Sequence, residues 1–442
     1  MNNNTYEVVI IGGGVCGTAL LYTLSNYTNV KTIALIEKEA DLALVNSFTN
    51  SNSQTLHFGD IETNYTLAKA QKVNKGASLV KNYLLANKQQ QIYTKYHKMV
   101  LGVGQEQVNK LKDRYQEFKQ LFPDLKLLNK AEIAQLEPKV LVARDPHEEI
   151  IALFTDEGYT VDFNRLAKSF VDNCSSDPNL DLLLNTKVKK IVANELYQIE
   201  TDNKTIQAKV VLVAAGAHSL LFAKSLGYGL NYALLSVAGS FYFAPKLLNG
   251  KVYTVQRKKL PFAAVHGDPE VHDRTIARFG PTAKVLPMLE RHHPSSIIEY
   301  FQTAGLSYRA IASFLKILSD PIIFKYIALN FCYDFPIIGK RLFIKEVRKI
   351  IPAIALGDLT YAKGYGGVRP QIVNLDTKAL EMGEAKIVGD KIIFNITPSP
   401  GASTCLQNAL EDTTRAIDFL GAGYHFNRQQ FLEDLSAEAT KV

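Results

Sequence analysis

YEVVIIGGGVCG, residues 6–17, joins an apolar, β-branched run to a cluster of glycines. The run Tyr6–Ile11 reads as a buried parallel strand. The cluster Gly12-Gly13-Gly14-Val15-Cys16-Gly17 fits G-x-G-x-x-G. In that pattern Gly12 permits the tight strand-to-helix turn, Gly14 lets backbone approach a pyrophosphate, and Gly17 allows close helix–strand contact. Val15–Tyr27 follows with helical spacing, so a diphosphate would sit at a helix N-terminus, where unpaired N–H groups and the dipole favour negative charge. Ile33–Ile36 reads as a second strand. Glu37 closes it, 20 residues after Gly17, placed to accept ribose hydroxyls and to disfavour a 2′-phosphate. Lys38 stands beside it. The segment is expected to hold the ADP half of a dinucleotide.

Outward from this motif, the chain offers only one such fingerprint, and hence one dinucleotide. A flavin reductase using a nicotinamide would ordinarily need a second nucleotide site, so the cofactor expected is FAD. VVLVAAGAHS (Val210–Ser219) is a strand ending in small residues, suited to passing close to a bound cofactor. KIIFNITPSPGAST (Lys391–Thr404) adds a strand, a Pro/Gly turn and a helix start whose amides would face an anionic flavin oxygen. The expected cofactor contacts are Gly12, Gly14, Val15, Cys16, Gly17, Glu37 and Lys38; Ser51, Asn52, Ser53 and Gln54; Val188, Ala215, Gly216 and Gly367; and Pro400, Gly401, Ala402 and Ser403.

Helical patterns are expected at Tyr65–Leu85, Gln105–Phe122, Phe163–Asn173 (capped by Asp162) and Cys405–Leu420, with sheet at Val237–Phe243 and Ala263–Phe279. Nucleotide-type segments at the start, middle and end imply an α/β fold, α+β overall. A Rossmann-like FAD domain of the glutathione-reductase/D-amino-acid-oxidase type (1–90, 150–225, 357–425) is interleaved with a substrate domain of mainly antiparallel sheet plus helices (91–149, 226–356).

The composition is that of an ordinary globular protein, 47% hydrophobic and 21% charged over 442 residues. The four cysteines, Cys16, Cys174, Cys332 and Cys405, lie far apart. They read as reduced thiols of a cytosolic protein, with neither disulfides nor a metal site expected. No signal peptide and no apolar run long enough to span a bilayer stand out. A net charge of +7 is compatible with anionic substrates, anionic lipid or nucleic acid, and composition does not choose among them.

The ordered motifs GGGVCG, the acidic strand end, TNSNSQTLHFGDIETNY (Thr49–Tyr65), VVLVAAGAHS, VHGDP, RFGPTA, GYGGVRPQ and TPSPGAST resemble those of FAD-dependent 2-hydroxy-acid dehydrogenases. The resemblance covers nearly the whole chain and is closest to the malate:quinone oxidoreductase family in its shorter bacterial form. L-2-hydroxyglutarate oxidases and glycerol-3-phosphate dehydrogenases look like more distant relatives. The resemblance implies a peripheral enzyme on the inner face of the cell membrane that oxidises malate and passes electrons to quinone. SNSQTLHFGD (Ser51–Asp60) is closer to the hydroxyglutarate oxidases, which leaves open L-2-hydroxyglutarate or another 2-hydroxy acid, and oxygen as acceptor. A flavin-binding redox sensor without turnover is the reading from a different class.

Oxidising a 2-hydroxy acid moves hydride from C2 to flavin N5 while the hydroxyl proton leaves, so the site needs a base and cations. Among nine histidines, His266 in AAVHGDP is the first candidate base and His57 the second. His218 reads as structural, His292 and His293 as solvent-exposed. Arg369, flanked by glycines in GYGGVRPQ, is the first candidate carboxylate clamp, Arg278 the second; Tyr242 and Thr282 are further substrate contacts. FAD is expected to be non-covalent. Residues 306–351 mix apolar side chains with eight Lys and Arg against three acids, the pattern of basic amphipathic helices on anionic lipid. The competing reading is a helical subdomain packed on its own sheet. Nucleic acid is not expected, for want of stacking platforms.

Overall fold

The structure is a computed structural model that describes residues 4–87, 91–176, 179–256, 264–304, 307–335, 337–381, 385–397 and 400–436. Its organising element is a parallel sheet in the order Ile392–Ile396, Thr205–Val213, Thr5–Ile11, Ile33–Ile36, Leu180–Leu183, with Ala385–Gly389 added antiparallel at one edge. The expected run Tyr6–Ile11 lies at its centre, paired on both sides. Successive side chains on a strand point to opposite faces. Val8, Ile10, Val210 and Leu212 accordingly face one core, built with helices Val15–Tyr27, Phe163–Asp172 and Cys405–Leu420. Tyr6, Val9, Ile11, Val211 and Val213 face another, with the helix His218–Ser225. Burial on both faces explains why these strands are continuously apolar.

A second unit is antiparallel except for one pairing. An eight-stranded sheet runs Thr360–Tyr361, Tyr242–Pro245, Ile276–Gly280, His266–Pro269, Lys251–Thr254, Tyr93–Val103, Ile150–Val161, Lys126–Leu128; the parallel pair is Lys251–Thr254 with Tyr93–Val103. A four-stranded sheet runs Lys284–Val285, Tyr232–Ala238, Val368–Asn374, Ala379–Glu381.

The structure moves three expected boundaries. Ile150–Val161, expected in the nucleotide domain, pairs along its length with Tyr93–Val103 and belongs to the second unit. Residues 360–374, likewise expected in the nucleotide domain, pair with Tyr242–Pro245 and Tyr232–Ala238. Val237–Phe243, expected as one stretch of sheet, divides into two strands of different sheets. The break falls where Arg291 donates to the Gly239 carbonyl and Ser240 donates its amide to Thr282 Oγ1 at 2.9 Å. Helices Val15–Tyr27 and Cys405–Leu420 keep their expected limits, and Asp162 caps its helix by accepting from the amides of Asn164 and Arg165. Gln105–Phe122 ends at Phe118, and Tyr65–Leu85 becomes Leu67–Ala86 behind the Thr66 cap.

Between the two units runs the loop 49–63. Thr49 Oγ1 donates to Asp162 Oδ1 at 2.9 Å, Leu56 N to Tyr159 O at 3.1 Å, and Thr55 bridges to Thr160. These ties hold Ser51–Ser53 and His57 against a cavity of ≈ 250 Å³.

Candidate active site

The cavity opens above the glycine turn. Gly12 has φ +110°, a conformation costly for any residue with a β-carbon. A β-carbon at Gly17 would land on the Gly12 carbonyl oxygen, so the helix can approach the turn only because that atom is missing. Glu37 is held by two amides: Gly13 N donates to Oε2 at 2.6 Å and Glu39 N to Oε1 at 2.9 Å. Burial pushes its carboxyl up from the ordinary range, against those two hydrogen bonds. Lys38 pairs with Glu290 across the cavity rim.

Most expected cofactor contacts converge here. Gly12, Gly14, Val15, Cys16, Glu37, Lys38, Ser51, Asn52, Ser53, Val188, Ala215, Gly216, Pro400, Gly401, Ala402 and Ser403 all line the cavity. Three do not. Gly17 packs on Gly12, and Gly367 lies under the Ser51 carbonyl. Gln54 is buried with its amide donating to Glu270 Oε1 at 2.7 Å and to the Thr49 carbonyl, so it ties the loop rather than facing the space. Ala43–Ser47, Thr186 and His218 also line the cavity without having been expected there. Ser47 accepts from Val15 N at 3.1 Å; only the path of the chain brings it to the helix start. An adenine dinucleotide fits this lining: a β-carbon-free turn under a helix N-terminus, a carboxylate fixed at the strand end, and small residues at 215–216 and 400–403.

The substrate candidates separate. Arg369 lines the cavity and forms no hydrogen bond or ion pair with any described side chain. Burial pushes its guanidinium down to about 10. Arg278 is not a cavity residue. It is fully buried, donating from Nη1 to Asn52 O at 3.3 Å and from Nη2 to Ser53 O at 3.0 Å, with the Phe241 ring 5.0 Å away. Tyr242 donates to Tyr333 O at 2.7 Å and stacks on Phe343, while Thr282 binds Ser240. The expected substrate roles of Arg278, Tyr242 and Thr282 are not met by this geometry: Arg278 clamps the loop 49–63, Tyr242 ties its strand to a helix end at Tyr333, and Thr282 ties to Ser240.

The two histidines divide in the same way. His266 is buried at a second, small cavity of ≈ 30 Å³. Its Nδ1 lies 2.9 Å from the Ala264 carbonyl and its Nε2 3.0 Å from Asp268 Oδ2. Both nitrogens face protein acceptors, and the ring does not line the large cavity. Against burial, His266 and Lys251 hold the Asp268 carboxyl well below the usual range. The expectation of His266 as base is not met by this geometry. His57 lines both cavities. Its amide donates to Ser403 Oγ at 2.9 Å, and Nδ1 lies 2.7 Å from Glu62 Oε1. A carboxylate only accepts, so Nδ1 carries a proton and Nε2 is the ring nitrogen left for another partner.

Comparison with known proteins gives a consistent picture. The family model described as malate:quinone oxidoreductase matches residues 4–418. The malate:quinone oxidoreductase of Helicobacter pylori is 44% identical over 445 residues, covering 98% of each chain. The mitochondrial L-2-hydroxyglutarate dehydrogenase of Homo sapiens is 26% identical over 92% of this chain and 87% of its own. Among solved structures, L-α-glycerophosphate oxidase from Mycoplasma pneumoniae with FAD bound superimposes with a TM-score of 0.65 at 17% identity, covering 96% of this chain and 98% of its own.

Proposed function

This chain belongs to the malate:quinone oxidoreductase family, and on that premise we propose that Arg369 and His57 are the residues with which it oxidises malate. The enzyme is an FAD-dependent oxidoreductase that converts malate to oxaloacetate and passes the electrons to quinone. When bound in the large cavity, FAD supplies the hydride acceptor. The protein supplies the rest. Arg369 is the observation that carries the assignment: a guanidinium lining the cofactor cavity, unpaired among the described residues. A half-buried cation without a carboxylate of its own gains when an anion arrives, and its planar fork fits a substrate carboxylate with two hydrogen bonds. His57 Nε2 accepts the C2 hydroxyl proton as C2 gives up its hydride. Ser51–Ser53, clamped from behind by Arg278, and Gly401–Ser403 hold the cofactor, which is bound non-covalently.

The acceptor dissolves in lipid, and we place the enzyme on the inner face of the cell membrane. Support comes from helices Tyr308–Leu318, Pro321–Cys332 and Ile338–Val347. They expose Tyr308, Leu315, Phe324, Phe331, Ile337 and Ile338, among the exposed bases Lys325, Arg341 and Lys345. No helix among the described residues is long and apolar enough to cross a membrane, so attachment is to the surface.

Anaerobic addition of malate to the yellow holoenzyme tests the reading. Malate bleaches the 450 nm band, and Arg369→Ala raises the malate concentration needed by about 100-fold or more, the ~3 kcal/mol of a charge-assisted bidentate pair, with FAD content unchanged. Bleaching by 2-hydroxyglutarate and not by malate would overturn the substrate; loss of FAD from Arg369→Ala would make that residue a cofactor contact.

A further inference from the structure

The buried acids next to the reacting histidine have no part in the scheme so far. Glu62 lies in the loop 49–63, almost fully buried. Its Oε1 takes the proton of His57 Nδ1 at 2.7 Å. Burial alone would raise its carboxyl. The hydrogen bond from His57, with Lys98 behind, outweighs that and holds it below the usual carboxylate range. Lys98 is itself engaged by Asp60, Nζ to Oδ1 at 2.7 Å, and Arg114 binds the backbone carbonyl of Glu62 rather than its carboxylate. Across the small cavity stand Tyr253, stacked on His266, and beyond them Asp268 with Lys251. Of all these groups, only the His57 ring hydrogen-bonds the Glu62 carboxylate.

We propose that Glu62 is a positioning residue of the oxidation. It fixes His57 with Nδ1 protonated and Nε2 free toward the substrate, and it balances the positive charge that His57 acquires. The inference rests on the reading of His57 as base. The step balances as follows: the C2–H bond breaks with its electron pair leaving as hydride to FAD, the O–H proton passes to His57 Nε2, and the C2–O bond becomes a carbonyl. FAD is reduced by two electrons and the alcohol oxidised by two. As the ring gains its proton, an ion pair forms with Glu62 in surroundings that exclude water, where such a pair acts more strongly than at a surface. The backbone that carries the ring is anchored as well, since the His57 amide donates to Ser403 just before helix Cys405–Leu420.

The test uses Glu62→Gln in the holoenzyme, which keeps the side-chain shape and removes the charge. FAD content is expected to match wild type. The rate of anaerobic flavin bleaching by malate falls by about 10–100-fold, the usual effect of losing the carboxylate behind a histidine. A negative neighbour favours the protonated form of the group that takes the proton, so without it the acid limb of the bleaching rate moves to lower pH by about one unit or more. Independently of turnover, ¹⁵N-histidine NMR is expected to show a single Nδ1–H tautomer for His57 in wild type and a mixture in Glu62→Gln. An unmoved acid limb and an unchanged tautomer overturn the proposal. If Glu62→Gln fails to retain FAD, Glu62→Asp decides instead: with the charge kept, its limb must stay at the wild-type position while the rate drops, and a shifted limb rejects the proposal. His57→Asn separates the two layers. Full bleaching rate in that variant removes His57 as base, whereas its loss with a normal Glu62→Gln removes only Glu62.

Discussion

Helices Val15–Tyr27 and Pro321–Cys332 are both strongly apolar, yet ten residues of the first are buried and, in the second, only Asn330 is. The first lies between the parallel sheet and helix Cys405–Leu420, its leucines filling the core they share. The second touches the protein along one edge. Asn330 Oδ1 accepts from Ala283 N at 2.6 Å, and Ile323 and Tyr326 pack on the cluster around Leu235, while Ile322, Phe324, Leu329 and Phe331 face outward. Apolar content thus marks a surface that must leave water without saying what replaces the water. For the first helix it is the protein itself. For the second, on the reading proposed above, it is lipid.

Three perturbations would break or sharpen that contrast. The largest effect is expected at the buried helix's start. Gly17→Val sets a branched side chain against the Gly12 carbonyl, and purified protein should come without FAD and with a collapsed melting transition; a yellow, normally melting variant would contradict the close approach seen here. Next comes truncation at matched positions. Leu21→Ala, in a fully buried site, should cost about 2–5 kcal/mol in chemical denaturation. Phe324→Ala, 60% exposed, should cost under about 0.5 kcal/mol yet weaken binding to anionic vesicles by about tenfold, the transfer value of one aromatic side chain. A large stability loss at Phe324 would make that helix part of the core. The smallest effect is electrostatic. Replacing Lys325, Arg341 and Lys345 by Gln should cost about 1 kcal/mol of vesicle binding per residue at low salt and almost nothing at high salt; salt-independent binding would leave the apolar face as the sole attachment.

Legibility in the sequence followed the distance over which each feature is specified. The glycine turn, its flanking strands and helix, and Glu37 were readable because strand and helix periods are local and glycine's tolerance of positive φ is intrinsic. Arg369 was readable for a similar reason, standing beside glycines that bring backbone close to the cavity. Arg278 looked equivalent, as an arginine next to Gly280-Pro281. Its true partners, the carbonyls of Asn52 and Ser53, are more than two hundred residues away, and nothing near Arg278 in the chain announces them. His266 and His57 likewise could not be ranked from their neighbours. What distinguishes them is whether the second ring nitrogen meets Asp268 or open cavity. Glu62 was passed over, although five residues from His57, because a loop has no period that tells which side chains meet.

By itself, then, the sequence determined the nucleotide fold, the cofactor class and the family, since these rest on short-range backbone constraints and on motifs in fixed order. Only the tertiary structure decided which arginine lines the cavity, which histidine opens onto it, and which apolar helix stays uncovered. Each of those depends on what a side chain meets from a remote part of the chain. In a close-packed, poorly solvated interior, that partner sets whether a charge is spent on the fold or available to a substrate.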